Sequence, residues 1–233
     1  MAQSFFSNLD NLSLRDIESE ADLIPLMTTE DEEALESESL PEIVPILPLR
    51  NTVLFPGVVI PITAGRDKSI KLIKDANATN KIIGVVAQQN EAIENPNLED
   101  IHKIGTVAQI LRVLKMPDGN TTIIIQGKKR FKIKSIIEEK PYMKASIESI
   151  KESFLKKNDK KFTATIDSIK DLALQIINEN PNIPSEASFA IKNIQTPSFL
   201  INFVASNMNV NVTDKQKILS ELDLFQRATM CLK

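Results

Sequence analysis

The chain has no tryptophan and only one tyrosine, one histidine and one cysteine in 233 residues. Each scarcity removes a class of chemistry. A single cysteine, Cys231, forbids an internal disulfide and suits a reducing compartment. One histidine and one cysteine cannot assemble a usual zinc site. His102, beside Asp100 and Lys103, reads as a surface histidine, and Cys231 is too far along the chain to suggest a Cys/His nucleophile pair. Counting alone leaves a Ser–Lys pair open, because both residue types are abundant. No apolar run approaches the roughly 18 residues of a membrane span. The N-terminus lacks a basic n-region, so no secretory signal is expected and the cytosol is the expected location.

Glycine is also scarce, at six residues. A phosphate-cradling loop needs a glycine-rich turn ending in Gly-Lys-Ser/Thr. Lys68-Ser69 follows Asp67 instead of glycine, and Lys128, after Gly127, has neither the earlier glycine nor a following Ser/Thr. No nucleotide cofactor is therefore expected in this chain.

What is present is an ordinary globular composition, 42% apolar and 25% charged, with room for one large or two small domains. The net charge of −3 is unevenly spread: residues 1–40 carry eleven acidic residues and one basic, Arg15, while the remainder nets +7. Such a tail cannot bury enough apolar surface to offset the entropy of ordering, so residues 1–40 read as an acidic disordered tail. It serves solubility or shields a surface from anionic partners.

Residues 41–153 carry a β pattern interrupted by one helix, near 67–76, whose Ile70, Ile73 and Ala76 share a face. Residues 81–87 and 104–114 read as buried strands, and 88–100 as a loop. Met116-Pro-Asp-Gly-Asn120 is a strong hairpin signal, returning through a strand at 121–126. A further strand follows at 130–137, with Phe131, Ile133 and Ile137 on one face and Arg130, Lys132 and Lys134 on the other. Met143, Ala145 and Ile147 alternate in a last strand. Several short strands and one helix suggest a small closed or nearly closed barrel.

Within it, residues 45–62, PILPLRNTVLFPGVVIPI, join two apolar runs through the polar corner Arg50-Asn51-Thr52. Pro45 and Pro48 each remove a ladder donor, so the first run reads as an edge strand. Pro56 and Gly57 supply a tight turn. Leu49, Leu54 and Phe55 are assigned to barrel packing; Arg50, a charge flanked by apolar runs, is either buried with a partner or on the surface.

From 154 to 233 the period becomes helical. Phe162, Ile166, Ile169, Ala173 and Ile176 form one amphipathic stripe. Short helices are expected over 185–192, 197–207, with Pro197 in the first turn, and 213–221, with Thr213 as N-cap. The last run, 222–233, carries no stop signal and reads as helical to Lys233.

The 45–62 run resembles the opening signature of the N-terminal domain of Lon proteases, the ATP-dependent proteases of the AAA+ class. GRDKSI at 65–70, GTVAQI at 105–110 and IQGKKRFKI at 125–133 resemble that family's later motifs in the same order. The structural signature is thus Leu49, Arg50, Phe55, Pro56, Gly57, Gly105, Gly127, Arg130 and Phe131. The resemblance implies an α+β fold: a PUA-like β-barrel with one helix, then an all-α helical subdomain whose last helix continues towards an ATPase module. It also implies a non-catalytic part of a hexameric serine protease. ATP, magnesium and a Ser–Lys dyad would belong to other domains, and unfolded or damaged proteins would be the partners. Candidate contacts with them are Met116, Phe189, Phe199 and Phe203. Two alternatives accompany this reading: a free-standing substrate receptor, and a nucleic-acid-binding barrel using the basic run 128–134. Against the latter, the run also fits the solvated face of a strand, with Phe131 turned to the core rather than out as a stacking platform.

Overall fold

The structure is a computed structural model that describes residues 30–31, 34, 37–117, 119–150, 159–179 and 185–233. Nearly all of the acidic tail, and the junction near 153, lie outside the described residues.

Six strands are present: β1 (Ile43–Leu49), β2 (Val59–Ala64), β3 (Ile82–Ala87), β4 (Ile104–Lys115), β5 (Thr121–Glu138) and β6 (Lys144–Ser149). Helix α1 (Asp67–Asn77) sits between β2 and β3, and a 3₁₀ turn covers Leu98–Asp100. Five helices follow: α2 (Lys160–Glu179), α3 (Ser185–Asn193), α4 (Pro197–Asn207), α5 (Val212–Ser220) and α6 (Leu224–Cys231). The sheet order is β2-β5-β4-β3-β1-β6, and β6 pairs again with β5. Five strands therefore return on themselves, with β2 outside the ring on the first half of β5. The β1–β3 pair is parallel. The fold is α+β, and its sheet is not a clean barrel.

Each ring strand contributes to one apolar cluster, with Val44 and Ile46 from β1, Val86 from β3, Val107 from β4, Phe131 from β5 and Ala145 from β6. Opposite faces of the same strands contribute Leu47, Val85, Ala108 and Ile125 to a larger cluster. That second cluster also holds Ile166, Ile191, Phe199, Leu200 and Leu219. The helices thus share a core with the outer face of the sheet. Leu49, Leu54 and Phe55 belong to this shared core, not to the interior of the ring.

Several expectations are corrected. β1 is flanked on both sides, by β3 and by β6, and β2 is the edge strand. The prolines are tolerated because each flank of β1 is covered only in part. β6 pairs with Ile43–Pro45 and β3 with Ile46–Leu49. The Ile46 N–H donates to the Met143 carbonyl, and the Ile147 N–H donates to the Glu42 carbonyl, so even-numbered residues of β1 address β6. By the two-residue alternation, Pro45 turns its nitrogen towards the β3 flank before that pairing begins. Pro48 turns its own towards the β6 flank after that pairing has ended. Neither interrupts a ladder.

The two strands expected at 121–126 and 130–137 are one, β5, because Gly127 keeps the strand going. Ile137 is 50% exposed, out of phase with Phe131 and Ile133, because register shifts near Ser135 and Glu138 reverse the alternation. Ile176 is 61% exposed, as the stripe of α2 outruns its packing partners. The N-cap of α5 is Asn211, whose side chain accepts from the Asp214 N–H, so Thr213 lies inside the helix. α6 ends at Cys231, with the Leu232 N–H turned back to the Thr229 carbonyl.

Candidate functional site

Residues 53–58 form the corner between β1 and β2, and its backbone is fixed from three directions. Val53, Leu54 and Phe55 are buried, and the Thr106 hydroxyl donates to the Leu54 carbonyl at 2.6 Å. Pro56 and Gly57 make the turn, Gly57 at φ 78°, where a residue without Cβ is favoured. The Gly57 N–H donates to the Gly127 carbonyl at 2.9 Å, and the Gly127 N–H to the Val58 carbonyl at 2.9 Å. The Asn202 side-chain amide of α4 donates to the Pro56 carbonyl at 3.2 Å, and the buried Arg227 of α6 donates to the Asn202 side-chain oxygen, Oδ1. The corner is therefore where sheet and helices are joined.

A second joint is Arg130, expected on the solvated face of its strand but only 2% exposed. Its guanidinium donates to the carbonyls of Leu219 and Glu221 at 2.8 and 2.6 Å. It thereby places a positive charge at the C-terminus of α5, where the helix dipole is negative. Of the two alternatives for Arg50, the surface one holds: it is exposed at the β1 exit, just past the last paired residue. The buried arginines are Arg130 and Arg227 instead.

Beside the β6 flank of β1 lies a cleft of about 160 Å³. Ile46 and Pro48 contribute from β1, Arg66, Lys68, Ser69 and Leu72 from α1 and its cap, and Tyr142 and Met143 from the β5–β6 turn. The loop before the 3₁₀ turn closes it with Glu94 and Pro96. The Arg66 guanidinium donates to the Gln88 side-chain oxygen at 2.6 Å. Burial lowers its pKa first, and the neighbouring charge of Arg50 adds to that. Across the wall the Tyr142 hydroxyl donates to the Asp75 carboxylate at 3.0 Å. Asp75 also accepts from Lys71, which is the larger cause holding its carboxyl below the usual range, with Tyr142 second.

Burial first, then the bond to Asp75, pushes the Tyr142 phenol above its ordinary 10.0. A raised phenol pKa means that this stabilisation is intact below pH 10 and is lost as pH rises through the folded midpoint. Tyr142 is the one tyrosine in a chain without tryptophan, so ultraviolet difference absorbance reads it alone. Its alkaline midpoint is expected above 10, and Asp75→Ala should bring it back towards that value.

The four candidate contact residues are not brought together. Met116 is half-buried in the β4–β5 hairpin, whose Asp118 lies outside the described residues. Phe189 is 63% exposed on α3, while Phe199 is 1% exposed in the shared core and is not available at the surface. Phe203 is half-buried, its ring 6.0 Å from that of Phe199. The sequence reading missed the cleft entirely, since its lining comes from four separate segments. Its one legible trace was the pair of prolines in β1.

Among the described residues, no group of three His, Cys, Asp or Glu could hold a metal ion. Burial pushes the Cys231 thiol up to about 11, which leaves it protonated and inert at neutral pH. No described helix is long and apolar enough to cross a membrane.

A family model described as the ATP-dependent protease La (LON) substrate-binding domain matches residues 43–233. The chain belongs to this family. It is 65% identical over 225 residues to a Lon protease of Flavobacterium johnsoniae, covering 97% of this chain and 28% of that protein. A Lon protease of Cytophaga hutchinsonii is 48% identical over 212 residues, covering 91% of this chain and 26% of that one. The chain thus spans 28% and 26% of the length of these relatives. Among solved structures, the N-terminal domain of a Mycobacterium avium complex Lon protease superimposes with a TM-score of 0.67 at 20% identity, over 82% of this chain and 96% of that one. A Lon N-terminal domain protein from Xanthomonas campestris gives 0.59 at 15% identity, over 82% and 96%. At such identities these two likenesses speak for the fold. The Lon resemblance of the 45–62 signature holds. Of the motif residues, Phe55 and Phe131 are fully buried, and a Cβ at Gly105 or Gly127 would clash with backbone.

Proposed function

We propose that this chain captures unfolded or damaged polypeptides for a cytoplasmic, ATP-dependent Lon protease and supports its hexameric ring, with no catalysis of its own. The match to a substrate-binding domain family over residues 43–233 carries the reading. In it, ATP, magnesium and the Ser–Lys dyad act in parts of the parent protein outside this chain. A free-standing receptor of the same type would show the same capture but no ring.

The nucleic-acid alternative is not favoured. In the run 128–134, Arg130 is buried, Lys128 lies 3.8 Å from the Glu38 carboxylate, and Lys134 lies 3.8 Å from that of Glu148. Lys129 donates to the Glu38 carbonyl at 2.5 Å. Glu38 thus sits against part of the basic face, which works against an anionic polymer binding there.

The test is fluorescence anisotropy with a labelled protein kept unfolded by reduction and carboxymethylation, beside its folded form. The chain is expected to bind the unfolded probe and not the folded one, and to hydrolyse neither ATP nor peptide. Binding to neither form, or measurable ATP turnover by the purified chain, would overturn the proposal.

A further inference from the structure

We propose that the cleft beside β1 is a socket for one large apolar side chain of an extended polypeptide; this rests on the capture reading above. Size supports it first. About 160 Å³ is on the scale of a cavity that takes up benzene, and well under the roughly 300 Å³ at which drug-sized ligand pockets begin. The lining is suited to such a group. Ile46 and Leu72 are each 1% exposed, and Pro48 and the adaptable Met143 complete an apolar floor.

Charge sets the class of occupant. The rim carries Arg66 and Lys68 against Glu94 and Glu139, two of each sign. The charges cancel, so the cleft favours neither an anion nor a cation. Both signs nevertheless serve an uncharged peptide backbone, the cations meeting its carbonyls and the carboxylates its N–H groups. The ladder excludes the other common mode of peptide capture. β6 leaves the β1 flank after Lys144 pairs with Pro45, and Pro48 offers no N–H there for an added strand. Recognition therefore falls to the side chain.

Tyr142 lines the cleft, so its fluorescence reports occupancy with no added label. The 233-residue chain is titrated with an acetylated Gly-Ser peptide carrying one phenylalanine, and with the same peptide carrying alanine. The phenylalanine peptide is expected to give a saturable change with about tenfold tighter binding than the alanine one. Ser69→Phe, which fills the cleft from α1, should abolish the change, whereas Leu172→Ser, exposed on α2 and outside the cleft lining, should keep it. Should Ser69→Phe fail to fold by circular dichroism, methyl NMR of the unaltered chain decides: the Ile46, Leu72 and Met143 methyls are expected to move with the phenylalanine peptide only. If the chain binds the carboxymethylated protein while Tyr142 and these methyls stay still, the socket is refuted and capture stands. Failure to bind the unfolded protein refutes capture itself. A Tyr142 signal that changes with protein concentration alone would place a second copy in the cleft and also overturn the socket.

Discussion

Gly127→Ala is expected to lower the thermal unfolding midpoint by about 6 °C or more, followed by circular dichroism. A Cβ at this position would lie 2.2 Å from the Phe55 carbonyl oxygen and 3.0 Å from its carbon. Both are backbone atoms, so no rotamer change relieves the clash. Either the corner or β5 must move, and movement breaks the reciprocal bonds of Gly127 with Gly57 and Val58. Overpacking costs about 1–3 kcal/mol and each strained backbone bond about 1 kcal/mol, so a loss near 3 kcal/mol or above follows. For a chain of this size each kcal/mol is worth about 2–4 °C. A drop under 2 °C would show that the corner can slide without cost. The same close approach accounts for the Phe55-Pro-Gly57 motif occurring together with the distant Gly127. Each is shaped to the other's backbone.

Arg130→Ala should be nearly as costly, at about 3 kcal/mol, because it removes two charge-assisted hydrogen bonds and leaves the buried Leu219 carbonyl without that donor. Lysine should rescue it only in part: both bonds come from one guanidinium nitrogen, Nη1, and a flexible ammonium stem holds a donor there less rigidly. The matched control is Arg50→Ala, expected to change stability by under about 0.5 kcal/mol because the side chain is exposed. Equal losses at both positions in urea unfolding would contradict this division. An intact slope with a lowered midpoint for Arg130→Ala would show that sheet and helices still unfold together.

That cooperation is where reading the sequence reached its limit. Local patterns located α1, the Met116–Asn120 turn and α4, because each depends on residues close in sequence: the apolar face of α1, Gly119 at φ 86°, and Pro197 in a first turn. The family, too, was legible in the string at 45–62, since a corner that must fit one glycine backbone tolerates few alternatives. Burial of individual charges was not. Arg50 stands between apolar runs and Arg130 within a basic one, yet Arg130 is the one that is buried. Only the helix laid across β5 distinguishes them, by presenting the carbonyls of Leu219 and Glu221 some 90 residues away. Strand neighbours were equally hidden. The prolines of β1 were read as the mark of an edge strand, but alternation let each missing donor face an uncovered flank of an interior strand. The cleft arises from the same gap. Its floor, rim and reporting tyrosine come from segments that only the closing of β6 onto β1 and β5 brings together. The sequence by itself determined the family and the period of each element. The tertiary structure decided which charges are buried and where a side chain could be received, because both depend on contacts between residues far apart along the chain.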